Sequence, residues 1–170
     1  LTSIFEFITM EEILDVVNEA DEVVGSEARV VCHRDGVLHR GANVLVFRND
    51  SYREILVQKR SANKEPSPGK LCTPGGHSAR GETYLEGARR EFFEEMRADE
   101  ELDEEIGFEE LFKIKKRTRD NYEFITTFRV IFGGPFKVDP LEVESYCFED
   151  VNKVLGLMES SPEEFTQTSV

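Results

Sequence analysis

The chain has 170 residues, 39% hydrophobic and 33% charged, enough for one domain whose core needs no disulfide or metal staple. A net charge of −14 sets the surface against nucleic-acid polymers and anionic membranes, and no apolar run approaches the ~20 residues of a membrane span. No basic-then-apolar leader pattern opens the sequence, and Cys32, Cys72 and Cys147 are scattered without a CxxC pair, so the expected compartment is the cytoplasm.

Glu12 to Val17 reads as a strand, Asn18 to Asp21 as a turn and Glu22 to Gly25 as the returning strand of an N-terminal hairpin. Ala42 to Phe47 is strand-like, Arg48 to Ser51 turns the chain, and Ile55 to Gln58 brings it back. Ser61 to Lys70 contains Pro66, Pro68 and Gly69 and is a loop; Thr73-Pro74-Gly75-Gly76 is a tight, Gly-rich approach to the next element. From Thr83 to about Ala98 there is no proline and helix formers dominate, with Leu85, Ala88, Phe92 and Met96 spaced to face a core. Asp99 to Glu105 prolongs that helix or forms a charged loop. Leu111 to Ile114, Tyr122 to Phe132 and Leu141 to Phe148 read as strands, and Val151 to Met158 as a short helix. No repeat or long linker interrupts this order. The expected fold is α/β or α+β on a mixed sheet, a single domain over 1–170 with a hairpin extension at 1–30.

Gly76 to Ala98 carries the sharpest pattern: Gly76, then Glu82, then Arg90-Glu91-Phe92 and Glu94-Glu95. On a helix turning ~100° per residue, Glu91 and Glu95 lie ~40° apart and Glu94 ~60° to the other side. Three carboxylates on one face repel one another, so exchanging one for Gln is expected to relieve the metal-free helix. A hard cation with oxygen ligands, Mg²⁺ or Mn²⁺, resolves the same repulsion. Gly75 and Gly76 let backbone approach a metal or a diphosphate closely. An acidic helix face alone reads as solvated surface; Gly76, Glu82 and Arg90 at fixed offsets set this one apart.

Gly76 to Ala98 resembles the Nudix box, G-x5-E-x7-R-E-U-x-E-E-x-G-U with U a bulky apolar residue, departing at Arg97 where the late glycine stands. The resemblance implies a Nudix-like α/β/α sandwich and a metal-dependent hydrolase that cleaves a diphosphate linkage in a nucleoside diphosphate derivative or similar small metabolite. It implies Glu91, Glu94 and Glu95 as metal ligands with a carbonyl of Gly75 or Gly76, Glu82 in support, and Arg90 orienting the glutamates. Water activated by Mg²⁺ or Mn²⁺ would attack phosphorus, with Glu94 or a nearby carboxylate taking the proton. At Arg97, where glycine ordinarily ends the helix in a left-handed turn, the helix is expected either to end at a cost or to run on towards Gly107.

Nearly the whole chain is also similar to the isopentenyl-diphosphate-isomerase-like branch of that superfamily. The marks are the hairpin, His33 and His39-Arg40, Gln58-Lys59-Arg60-Ser61 with Lys64 before Pro68-Gly69, Gly76-His77, and Glu142 to Tyr146 followed by Val151. This branch implies a second metal site at His33, His39, His77 and Glu123, although each imidazole is equally readable as structural. An isomerase further needs a cysteine just before Gly-His. That position is Gly75, with Cys72 three residues earlier, whereas the glutamate ladder needed for hydrolysis is complete. Isomerisation of an isoprenoid diphosphate and a non-catalytic metabolite sensor are the alternatives.

Arg60 and Lys64 lie in the loop leading to Gly75 and are candidates to grip substrate phosphate. Lys113, Lys115, Lys116, Arg117 and Arg119 form a basic island that either holds an anionic substrate or pairs with the acidic stretch from Asp99 to Glu110. Tyr122, Phe124 and Phe128 read as base-stacking or core residues. The partner is a small diphosphate. The substrate itself and the oligomeric state stay open at this level.

Overall fold

The computed structural model describes residues 11–96, 106–119 and 121–169. Strands β1 (Ile13–Val17) and β2 (Val23–Ala28) form the expected antiparallel hairpin. Its turn is closed by Asn18, whose Oδ1 accepts the amides of Ala20 at 2.9 Å and Glu22 at 3.0 Å. Helix α1 (Arg29–Asp35) comes next and was not legible in the sequence. It buries Cys32, too little of an apolar stripe to reveal a 3.6-residue period. Gly36, at φ 65°, ends it by donating its N–H to the Cys32 carbonyl.

The chain continues through β3 (His39–Phe47), β4 (Glu54–Arg60), the short β5 (Leu71–Cys72) and β6 (Gly75–His77), and α2 (Tyr84–Met96). Then come β7 (Phe108–Arg117), β8 (Tyr122–Ile131), β9 (Val143–Asp150), α3 (Val151–Ser160) and a 3₁₀ turn at Pro162–Glu164. The nine described strands form a mixed sheet. β3 sits at its centre, parallel to β8 from His39 opposite Glu123 to Phe47 opposite Ile131, and antiparallel to β1, β4 and β6.

The two-residue alternation of the strands sorts side chains into two layers. Ala42, Val44 and Val46 of β3, with Phe128 and Val130 of β8, meet Ala88, Phe92 and Met96 of α2. Ile55 and Val57 of β4 face the other way, onto Val154 of α3 and Phe165. A helix on each face makes an α/β/α sandwich. Phe92 and Met96 are fully buried, each worth about 1.5–3 kcal/mol by area removed from water. Leu85, expected to join them, is instead 40% exposed. Tyr84 takes its place against the core, at the first turn of the helix.

Helix α2 begins with a capping box. The Thr83 hydroxyl accepts the Glu86 amide at 3.2 Å, and the Thr83 amide donates to the Glu86 carboxylate at 2.8 Å. The expectations for Arg97, Ala98 and Asp99 to Glu105 fall outside the described residues. Within them, two lysines of the basic island pair with the hairpin turn, Lys113 with Asp21 at 2.6 Å and Lys115 with Glu19, while Lys116 binds the Gln167 carbonyl. Asp21 also takes Arg40 and the Tyr84 hydroxyl, so it ties the turn to β3, α2 and β7. Phe128 lies in the core, while the Tyr122 hydroxyl binds Glu19. No helix among the described residues is long and apolar enough to cross a membrane.

Candidate active site

The spacing that aligns Glu91 and Glu95 with the buried stripe of α2 turns both carboxylates towards β6. Gly76 faces α2, and a Cβ built on it would lie 2.7 Å from Glu91 Oε1 and closer to the rest of that carboxylate. Only glycine lets the strand and the acid approach so closely. Burial, then the charge of Glu95, push the Glu91 carboxyl up to about 7 against the pull of Arg90 and Lys64. Glu95 is 2% exposed. Its Oε1 binds Lys64 at 2.8 Å, and its Oε2 accepts Gln58 at 2.8 Å and the Gly75 amide at 3.2 Å. Glu94 stands at the rim, its side chain 60% exposed. All three acids line a cavity of about 1180 Å³ together with Gly75, Gly76 and Arg60.

Arg90 fastens this arrangement. Its Nε and Nη2 fork onto Glu82 at 2.8 and 3.0 Å, Nη2 also reaches the His77 carbonyl at 2.9 Å, and Nη1 binds Glu91 at 2.8 Å and Glu94 at 3.2 Å. Glu82 in turn accepts the Ala79 amide at 2.7 Å. One guanidinium thus joins α2 to the chain leaving β6. Arg90→Lys keeps the charge and loses the fork. The expected result is a ~10–100-fold loss in divalent-metal affinity and in rate, the usual cost of removing a group that orients ligands. Calorimetric metal titration checks it, and unchanged affinity would remove the orienting role.

Arg60 and Lys64 both line the cavity. Arg60 Nε is buried without a hydrogen-bond partner among the described residues, and the guanidinium lies close enough to Cys72 to pull that thiol down against the rise that burial imposes. Lys64 is bound by Glu95 and Glu142. Burial works to lower its pKa, but those two carboxylates outweigh it and hold the ammonium above its ordinary value.

The other face of the β3–β6 ribbon carries imidazoles. His39 opens β3, His77 ends β6 and His33 comes from α1; their potential ligand atoms all lie within 4.8 Å of one another. The His39 and His77 ring centroids are 5.1 Å apart, and His33 Nε2 is 3.1 Å from His77 Nε2. His39 Nδ1 lies 2.8 Å from the Val37 carbonyl, which fixes Nδ1 as the protonated nitrogen. Its buried Nε2 is left with a lone pair and no hydrogen-bond partner among the described residues. Burial, with neighbouring positive charge, pulls His39 down to about 4 and His77 well below its ordinary value, so both rings are neutral, as ligands must be. Glu123 Oε2 stands 4.0 Å from His77 Nε2, and burial raises that carboxyl to about 7. An orphaned imidazole lone pair beside the neutral His77 ring, with His33 and a buried carboxyl close by, fits a divalent cation.

A family model described as NUDIX domain matches residues 37–168. The chain belongs to the Nudix family. Within that family it is 30% identical to an isopentenyl-diphosphate Delta-isomerase of Serratia proteamaculans, over 92% of this chain and 87% of that one. It is 32% identical to a protein of Yersinia pestis named as an uncharacterized Nudix hydrolase, over 81% of this chain and 72% of the other. The crystal structure of DR0079 from Deinococcus radiodurans shares the fold at a TM-score of 0.68 and 24% identity, covering 88% of this chain and 90% of that one. Family membership supports a hydrolase acting on pyrophosphate-containing substrates, and relatives carry both hydrolase and isomerase names.

The Nudix fold brings the expected residues into two groups: Glu82, Arg90, Glu91, Glu94 and Glu95 with Gly75 and Gly76, and His33, His39 and His77 with Glu123. Gly75 meets the ladder through its amide; the carbonyl of Gly75 or Gly76 was expected as a ligand to the metal rather than as a partner of the glutamates. Three partners were not anticipated as site residues. Gln58, 1% exposed, holds Glu95; Glu142 holds Lys64; Asn121 donates to Glu123 at 2.8 Å. Gln58 left a trace in the sequence, a polar residue sharing the face of buried Leu56.

Proposed function

We propose that this Nudix protein is a metal-dependent hydrolase that cleaves a diphosphate linkage in a nucleoside diphosphate derivative or similar small metabolite. The observation that carries the reading is Gly75. The isomerase reading requires a thiol there, and the backbone admits no side chain. Gly75 sits at φ 148°, and a Cβ would collide with the Ala42 carbonyl oxygen and stand 3.0 Å from Asn43 Cα. Among the described residues no cysteine lines the cavity: Cys72 is buried beside Gln58, and burial raises its thiol. The carboxylate ladder, by contrast, is complete.

In this proposal Glu91, Glu94 and Glu95 hold Mg²⁺ or Mn²⁺. When bound, the metal neutralises charge developing on the diphosphate and acidifies the attacking water. Arg60 and Lys64 grip the phosphates. Glu94, at the solvent rim, or a nearby carboxylate of the ladder takes the proton. Glu82 and Arg90 keep the ladder in place through the fork. His33, His39, His77 and Glu123 form a second site for Mn²⁺ or Zn²⁺. That cluster also favours the second reading, an isoprenoid diphosphate isomerase, and the two make opposite product predictions.

The test is a panel of nucleotide sugars, dinucleotides, coenzyme A, nucleoside di- and triphosphates and isopentenyl diphosphate, with Mg²⁺ or Mn²⁺, read by phosphate release and mass spectrometry. Hydrolysis of at least one compound, abolished by chelator, is the expected result. Isomerisation of isopentenyl diphosphate without hydrolysis of any compound would reverse the assignment.

A further inference from the structure

Glu95 is the most enclosed acid of the ladder: its side chain is 2% exposed, against 13% for Glu91 and 60% for Glu94. Both its oxygens are already occupied by this chain's own groups. Gln58 and the Gly75 amide fill Oε2, and the Lys64 ammonium, from the loop between β4 and β5, fills Oε1. A divalent cation that enters the ladder meets a lysine cation on the oxygen it needs. Two cations on one buried carboxylate oxygen repel each other strongly, because little water screens them.

Lys64 has a second carboxylate to hold, Glu142, just before β9 and 38% exposed. Losing Glu95 therefore does not strand the ammonium. It stays anchored at the wall of the cavity that Arg60 and Lys70 also line.

We infer that Lys64 is the resident counter-ion of Glu95 and competes with divalent metal for that carboxylate. Metal entry turns the ammonium away, pivoted on Glu142, into the cavity where it is free to meet phosphate. This inference rests on the ladder being the metal site of the proposed hydrolase. Metal and phosphate binding are then linked through one side chain, and the linkage is reciprocal. Before metal arrives, Lys64 is withheld from substrate; once it arrives, the second positive charge is delivered.

The experiment is direct Mn²⁺ binding to the metal-stripped full chain without substrate, followed by the electron paramagnetic resonance signal of free Mn²⁺. The ladder site is the Mn²⁺ binding that Glu95→Gln removes. Lys64→Met, close in size and uncharged, is expected to bind Mn²⁺ at that site at least ~10-fold more tightly than the natural chain, within the usual range of coupling between sites. Lys64→Arg, which keeps the charge, is expected to stay near the natural affinity. In the natural chain, Mg²⁺ is expected to raise acetylation of the Lys64 amine severalfold, read by peptide mass spectrometry. This second measurement needs no variant to fold. Unchanged or weaker Mn²⁺ binding in Lys64→Met, or acetylation indifferent to Mg²⁺, overturns the competition while leaving the hydrolase reading intact if Glu95→Gln still removes the site. If Glu95→Gln removes no Mn²⁺ binding, the ladder reading and the competition fall together.

Discussion

Replacing Glu95 with Gln is expected to slow diphosphate hydrolysis by at least ~10²-fold, about 3 kcal/mol of transition-state stabilisation. The substitution preserves shape and most hydrogen bonding and removes one negative charge from the innermost position of the ladder. Its effect on folding separates the structure from the expectation drawn on sequence alone. Three carboxylates on a bare helix suggest that Gln relieves repulsion. In the fold, Glu95 is the partner of a largely buried ammonium, and Gln leaves Lys64 with Glu142 alone. The metal-free variant is therefore expected to lose about 1–3 kcal/mol, the cost of unpairing a largely buried charge that keeps one partner. For a chain of this size that is ~2–4 °C in melting temperature per kcal/mol. Steady-state kinetics and thermal denaturation of the same preparation measure both. A fully active Glu95→Gln protein, alongside inactivity of Cys72→Ala, would make a displaced-cysteine isomerase the better account.

Gly75→Cys is expected to be the most damaging single change near the site. The position needs a backbone conformation that side chains rarely adopt, which alone costs about 1–3 kcal/mol. The new Cβ also meets fixed strand, the Ala42 carbonyl oxygen, so relief requires β6 to move away from β3. Together these place the expected loss at roughly 3 kcal/mol or more, at or beyond the upper end of the ordinary range for a single substitution. Gly156→Ala is the control. It lies in α3 with nothing within 4 Å of a built Cβ, and is expected to gain about 0.5–1 kcal/mol. Denaturant unfolding of both variants decides the matter. A Gly75→Cys protein as stable as the parent, and isomerising isopentenyl diphosphate, would show that the thiol position is open and would restore the isomerase reading.

The sequence by itself determined what short-range periodicity can encode. The i, i+4 recurrence of Ala88, Phe92 and Met96 fixed the buried side of α2, and with it the face that Glu91 and Glu95 share. Alternation and turn chemistry delivered the hairpin, and the likeness to known relatives foretold that His39 and His77 would meet. What periodicity cannot encode is which distant group completes a charge. Lys64 lies 31 residues from Glu95 and Gln58 lies 37 away. Their meeting results from β4 bringing the next loop over the end of α2, and no local pattern announces it. Helix α1 has no signature in the sequence because a seven-residue helix that buries one cysteine has no stripe to display. Gly75 shows the same division. Its residue type was plain in the sequence, but that no larger residue fits was decided by Ala42 and Asn43 across the strand pairing, where backbone meets backbone and neither can yield.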